Sequence, residues 1–268
     1  MAAAVAQAFG AATVSLLALE AVSVRFGGVA AVRDVSLQLA AGEIRGLIGP
    51  NGAGKTSLIN AITRVVKVQS GSISFEGRDV TVLVPEQVSE LGIGRTFQHV
   101  ELFREETVFE NVLTGLYRHY IYGIGKAMLG LGARIEAEAR RECDTLLDAF
   151  ALTQLASVRA GDLPFGIQKR VDMARALAMR PRLLLLDEPV SGMSESEANE
   201  AIATTRALAR DRGITLLIVE HNMRVMMQLA ERITVMHEGR VIAEGTPAEI
   251  RNDRGVIDAY LGEETDHA

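Results

Sequence analysis

Apolar and polar residues alternate over residues 17–25 and again over residues 32–39, the two-residue period of strands with one buried face. Residues 43–48 form a short apolar strand that stops at Gly49-Pro50-Asn51-Gly52, a dense turn signal, and a helical pattern resumes at Lys55. A further strand is expected over residues 71–76, ending at Gly77. Between residues 134 and 155, Ile135, Ala139, Leu146, Leu147, Phe150 and Leu155 recur near helical spacing with charges between them, predicting one amphipathic helix. Residues 182–186, apolar after Arg182, and residues 214–219, apolar apart from Thr215, show the pattern of central strands in a parallel sheet covered on both faces. Residues 241–244 read as a late edge strand and residues 247–261 as a terminal helix. Glycine-tipped strands alternating with helices indicate an α/β sheet, with a mostly helical insertion after Gln98 and neither an internal repeat nor a low-complexity linker.

Composition narrows the function. The chain has 268 residues, room for one large domain or for a core with a smaller lobe. Acidic residues number 34 against 28 basic, a net charge of −6, which argues against nucleic acid as a partner. The single cysteine, Cys143, excludes an internal disulfide and suits a reducing compartment. Residues 1–19 carry no charge, yet they are rich in alanine, and the first basic residue is Arg25. A short extension leading into a strand is therefore expected, not a signal peptide or a spanning helix.

The strongest chemical signal is Gly49-Pro50-Asn51-Gly52-Ala53-Gly54-Lys55-Thr56, a full G-x-x-x-x-G-K-[ST] pattern between a predicted strand and a predicted helix. Such a loop wraps backbone N–H groups around a polyanion, because glycines let the main chain approach closely. The helix behind it, which also carries Ser57, aims a partial charge of about +0.5 at the phosphates. Lys55 supplies a cation for the β- and γ-oxygens, and Thr56 a hydroxyl for Mg²⁺. A second half-site is Asp187-Glu188 at the end of the strand over residues 182–186. Two adjacent acids after a buried strand need a cation or a water partner. Asp187 is expected to hold the Mg²⁺ shell and Glu188 to polarise the attacking water. His221 ends the next buried strand and, paired with Glu188, is a candidate γ-phosphate sensor.

Taken in order, these elements resemble the ATP-binding subunit of an ABC transporter over nearly the whole chain. That resemblance implies a P-loop NTPase core with a mixed, mainly parallel sheet, an antiparallel N-terminal β-subdomain and an inserted helical subdomain. The implied boundaries are an extension over 1–14, a core over 15–98 and 175–245, a helical subdomain over 99–174, and a C-terminal helix and tail over 246–268. It implies that Phe26 stacks on adenine, that Gln98, in Arg95-Thr96-Phe97-Gln98, touches Mg²⁺ and the attacking water, and that residues 163–170 stand at the signature position. There Pro164, Phe165 and Gly166 would grip the partner protomer's ATP, with Ser194 on the cross-dimer loop. More narrowly, the Arg25-Phe26-Gly27-Gly28 opening, Glu220-His221-Asn222-Met223 and the ending Glu244-Gly245-Thr246-Pro247 are similar to ATPases serving branched-chain amino-acid uptake. The expected assembly is a homodimer, or a heterodimer with a sister ATPase, on two transmembrane permease subunits fed by an external solute-binding protein. Its place would be the cytoplasmic face of the inner membrane.

Three positions depart from the family pattern. Pro164 replaces the signature serine, Ile167 replaces its glutamine, and Ser194 stands where an Asp or Asn is usual. A looser ATP-bound dimer and slower hydrolysis are expected. The rival readings are a soluble ABC-type ATPase acting on nucleic acid or ribosomes, and a regulatory subunit with hydrolysis largely lost. The first usually carries two cassettes or a long coiled coil, and intact Lys55, Gln98, Glu188 and His221 oppose the second.

Overall fold

The computed structural model describes residues 15–96, 98, 100–120, 132–220 and 223–265. Strands β1 (Ser15–Phe26) and β2 (Val29–Ala40) form an antiparallel hairpin. With β4 (Ser70–Phe75) and β5 (Arg78–Asp79) they make a four-stranded sheet in the order β2-β1-β4-β5, antiparallel throughout. A second sheet runs β10-β9-β3-β8-β7-β6, comprising β3 (Ile44–Ile48), β6 (Ile93–Arg95), β7 (Leu183–Asp187), β8 (Thr215–Val219), β9 (Arg232–His237) and β10 (Arg240–Gly245). All its pairs are parallel except β9 with β10.

Every residue of β3, β7 and β8 is buried, including the polar Arg45, Asp187 and Thr215 among otherwise apolar positions, as central strands covered on both faces require. Alternate side chains of these strands feed two separate cores, following the pleat. Ile44, Ile48, Leu184, Leu186, Leu216 and Ile218 join one core with the helices. Leu47, Leu183, Leu185, Leu217 and Val219 join the other, beneath the antiparallel sheet and α1 (Lys55–Ile62). The central sheet is thus the middle layer of three, and its strand ends are where chemistry can be displayed.

The remaining helices are α2 (Pro85–Glu90), α3 (Val108–Tyr120), α4 (Gly132–Ala149), α5 (Phe165–Ala178), α6 (Glu195–Asp211), α7 (Met223–Leu229), α8 (Pro247–Arg251) and α9 (Arg254–Thr265). Helix α3 packs on α4 and α5. Helix α4 stops at Ala149, short of the expected residue 155. Ala151 turns left-handed at φ 54°, and the Ala151 and Leu152 N–H groups donate back to Asp148 O and Leu147 O at 3.0 and 2.7 Å. That is a Schellman ending made without glycine; residues 153–155 then form a separate 3₁₀ turn. The expected single C-terminal helix is two, because Asn252 and Asp253 interrupt it and Asp253 Oδ1 accepts the Val256 N–H at 3.0 Å to start the second. Strands β6 and β9 and helices α2, α6 and α7 were not expected from the sequence. No helix among the described residues is long and apolar enough to cross a membrane. Cys143 is buried on α4, which pushes its thiol up to about 12.

Candidate functional site

The phosphate loop leaves the end of β3 and returns into α1, whose N-cap is Gly54 at φ 97°. A β-carbon on Gly49, at φ 152°, would stand 2.1 Å from Met236 O on β9; one on Gly54 would stand 2.2 Å from Ala31 O on β2. Only glycine fits either place, so both sheets mould the loop. Pro50 and Ala53 are buried, Asn51, Gly52 and Thr56 are exposed, and Ser57 is half-buried. The Lys55 ammonium folds over the loop, donating to Gly49 O at 2.6 Å and Pro50 O at 2.7 Å. A lysine held by two carbonyls at a helix N-terminus can turn onto phosphate oxygens with little movement.

Asp187 ends β7 and is 1% exposed. Its Oδ2 accepts from the Arg95 guanidinium at 3.2 Å, and Arg95 also donates to Asn60 Oδ1 on α1 at 2.5 Å. Arg95 therefore bridges the helix behind the phosphate loop to the carboxylate. Asp187 Oδ1 is buried with no hydrogen-bond partner among the described residues. Burial pushes the Asp187 carboxyl above the usual carboxylate range, opposed by Arg95 and reinforced by the Glu188 charge. An orphaned carboxylate oxygen of this kind suits a divalent cation or its water shell.

Glu188 follows in a left-handed conformation, φ 49°, with its N–H donating to Val219 O at 2.9 Å. For a non-glycine residue this costs about 1–2 kcal/mol, strain of the kind found where a side chain must be aimed. Gln98 Nε2 reaches Glu188 Oε2 at 3.4 Å, so the two water-handling candidates meet. His221 lies outside the described residues. The preceding residue, Glu220, is buried and accepts the Val190 N–H at 3.2 Å.

The signature segment opens α5. Pro164 is its N-cap, and the Ile167 and Gln168 N–H groups both donate to Pro164 O at 3.0 Å, so proline does not prevent the helix. The earliest N–H groups, at Phe165 and Gly166, are left at the helix tip. Phe165 is 46% exposed, and a β-carbon on Gly192 would stand 3.0 Å from its ring. Ile167 packs against the helical core, which accounts for an apolar residue there. Ser194 is the N-cap of α6: its Oγ donates to Glu197 Oε2 at 2.7 Å and accepts the Glu197 N–H at 3.4 Å. Phe26 is 48% exposed at the end of β1, a surface ring and not a core one.

The structure thus brings together Gln98, Asp187 and Glu188 and connects them through Arg95 to the phosphate-loop helix. Phe26, Pro164, Phe165, Gly166 and Ser194 sit on other elements. Sequence reasoning missed Arg95 as a site residue, and also Lys169 and Glu220. A lone arginine in a three-residue strand and a lone lysine in a helix were the available signals.

The profile of the ABC transporter family matches residues 32–191, and that of the branched-chain amino acid ATP-binding cassette transporter matches residues 240–266. The high-affinity branched-chain amino acid transport ATP-binding protein LivG of Salmonella typhimurium is 40% identical over 250 residues, 92% of this chain and 98% of LivG. Among solved structures, the ADP conformation of MJ1267, an ATP-binding cassette of an ABC transporter, superposes with TM-score 0.78 at 31% identity, covering 92% of this chain and 99% of that one. The dimeric post-hydrolysis state of the ATP-binding cassette MJ0796, bound to ADP and Pi, superposes with TM-score 0.74 at 25% identity over 86% and 98% of the two chains. The two half-sites, the three-layer frame and these likenesses agree: the chain is an ATPase of the ABC transporter family, in the group that holds the LivG proteins.

Proposed function

We propose that the chain is the ATP-hydrolysing subunit of an importer for branched-chain amino acids or similar small polar solutes. The buried, unpartnered Asp187 Oδ1 beside the glycine-moulded loop is the observation that carries the hydrolytic reading. Gly49, Pro50, Asn51, Gly52, Ala53 and Gly54 cradle the phosphates, Lys55 and Ser57 grip them, and Phe26 stacks on adenine. Thr56, Gln98 and Asp187 would hold Mg²⁺, which when bound neutralises charge between the β- and γ-phosphates. Glu188 accepts the proton of the attacking water, Gln98 orients that water, and His221 senses the γ-phosphate. General-base help of this sort is worth about 10²–10⁴-fold in rate.

Two protomers close head to tail, so Pro164, Phe165, Gly166 and Ser194 of one meet the nucleotide on the other. The partner is a second copy or a sister ATPase. The first N–H groups of α5, at Phe165 and Gly166, support this, since a helix tip binds anions. Each protomer receives one of the two permease subunits in the groove lined by Val65, Pro85, Val88, Arg95, Arg175 and Met179. Arg95 carries movement there to Asp187. The subunit works at the cytoplasmic face of the membrane, with the solute-binding protein on the far side. We place the core at residues 15–98 and 175–245 and the helical subdomain at 99–174, with α5 running unbroken across the second boundary.

The test is MgATP hydrolysis by the purified chain, together with labelled leucine uptake by cells relying on it. Lys55→Met and Glu188→Gln should each abolish both. Uptake that survives either substitution refutes the reading.

A further inference from the structure

Lys169 lies one turn into α5, three residues after Gly166, and is 2% exposed. Its ammonium makes two described hydrogen bonds, both to main-chain carbonyls: Gln98 O at 3.0 Å and Glu188 O at 3.0 Å. Those acceptors belong to two loops, 71 and 19 residues away in sequence, whose side chains meet at the water-handling position. Four carboxylates act on its charge: Asp172 on the same helix, Glu220 after β8, Asp187 at the end of β7 and Glu188 just beyond it. The Phe165 ring lies 5.6 Å from Nζ. Burying a lysine is costly unless its charge is compensated and its donors are used. Here Asp172 on the same helix and the acids of the hydrolytic loops compensate the charge, the loops take both described hydrogen bonds, and the same helix begins with the signature tip.

We propose that Lys169 is a positioning residue that joins the signature helix to the Gln98 and Glu188 loops of its own protomer. Seating the helix tip on the partner's nucleotide then sets the loop geometry at the protomer's own nucleotide. This rests on the head-to-tail reading above and adds to it a physical route by which the two ATP sites communicate. Coupling of this kind is carried by an element with contacts at both sites, and it appears as cooperativity.

The experiment uses the full purified chain as parent, Lys169→Met and Lys169→Arg. Three quantities are read: thermal midpoint, binding of a fluorescent trinitrophenyl-ATP to the isolated chain, and steady-state hydrolysis against MgATP concentration. Methionine keeps the length and loses the donors; arginine restores two donors and the charge. Lys169→Met is expected to bind the analogue within about twofold of the parent, to lose roughly tenfold or more in kcat, and to hydrolyse with a Hill coefficient near 1. Lys169→Arg should recover kcat to within about threefold, with the cooperativity of the parent. An unchanged kcat in Lys169→Met overturns the proposal. So does a loss that arginine fails to rescue, or a loss that leaves the Hill coefficient at the parent value. A parent without MgATP hydrolysis would instead overturn the ATPase reading itself.

Discussion

Arg95 holds one oxygen of Asp187 at 3.2 Å and leaves the other buried without a hydrogen-bond partner among the described residues. One carboxylate is thus divided between a fixed protein cation and a place for a diffusible one. Burial raises the Asp187 carboxyl, and Arg95 is the main influence opposing that rise. Removing the guanidinium should therefore favour protonation and weaken metal binding together.

For Arg95→Met we expect the Mg²⁺ concentration giving half-maximal hydrolysis to rise about tenfold, as for other residues that orient a metal ligand. The acid limb of the pH–rate profile should move to higher pH, because Asp187 then needs a higher pH to ionise. Magnesium titrations at fixed ATP and a pH series test both; an unmoved magnesium requirement would show that Arg95 only braces the fold.

The glycines of the phosphate loop should not respond alike. Gly52 has φ 77° with nothing within 4 Å of an added β-carbon, so Gly52→Ala costs only left-handed strain, about 1 kcal/mol. Gly54→Ala drives its β-carbon to 2.2 Å from Ala31 O, which forces the loop off β2. We expect Gly52→Ala to bind an ATP analogue and Gly54→Ala to lose binding, measured on folded protein by fluorescence titration.

Ser194 is occupied with its own helix, through the reciprocal bonds with Glu197. Ser194→Ala should lose about 1 kcal/mol and lower the thermal midpoint by about 2–4 °C. Ser194→Asp keeps an oxygen for the cap and adds the longer, charged group usual on the cross-dimer loop. Its hydrolysis should rise several-fold (roughly 1 kcal/mol in barrier). A rate equal to the parent's would dissociate this residue from the slow hydrolysis expected of the chain.

Glu142 on α4 gathers bonds from Tyr120, Arg180 and Arg212, each from a different part of the helical packing. Burial raises its carboxyl, but the bonds from Arg180 and Tyr120 outweigh it and hold Glu142 below its ordinary value of 4.5. A folded value below the unfolded one means stability present above about pH 4.5 and lost as pH falls through the folded value. Glu142→Gln should cost about 1 kcal/mol at pH 7, reduced from the buried-pair figure because Arg180 is 45% exposed. The difference in unfolding free energy should close in the most acidic buffers, as denaturant melts at stepped pH will report.

The phosphate loop was legible because all its chemistry lies in eight consecutive residues between a strand and a helix. Strands β7 and β8 were legible because burial on both faces makes Leu183–Leu186 and residues 216–219 wholly apolar. The end of α4 was not, since Ala151 takes the left-handed place where glycine is the usual signal. Ser194 was read from its place in the family pattern alone, while its S-x-x-E spacing to Glu197, the mark of the capping box it forms, went unused. Lys169 was silent for another reason: its described hydrogen-bond acceptors are carbonyl oxygens, which every residue possesses.

What the linear order of residues determined, then, is the parts. They are a glycine cradle, a pair of acids on a hydrophobic strand, a helix with an open start, and the layers their periodicities imply. Which atoms of those parts face one another was decided only by the folded chain. Arg95 meets Asp187 across 92 positions, and Lys169 meets Gln98 across 71. Local patterns record backbone preference and burial, which each segment carries by itself. A contact between distant segments exists only after both cores have packed and brought the strand ends into one place.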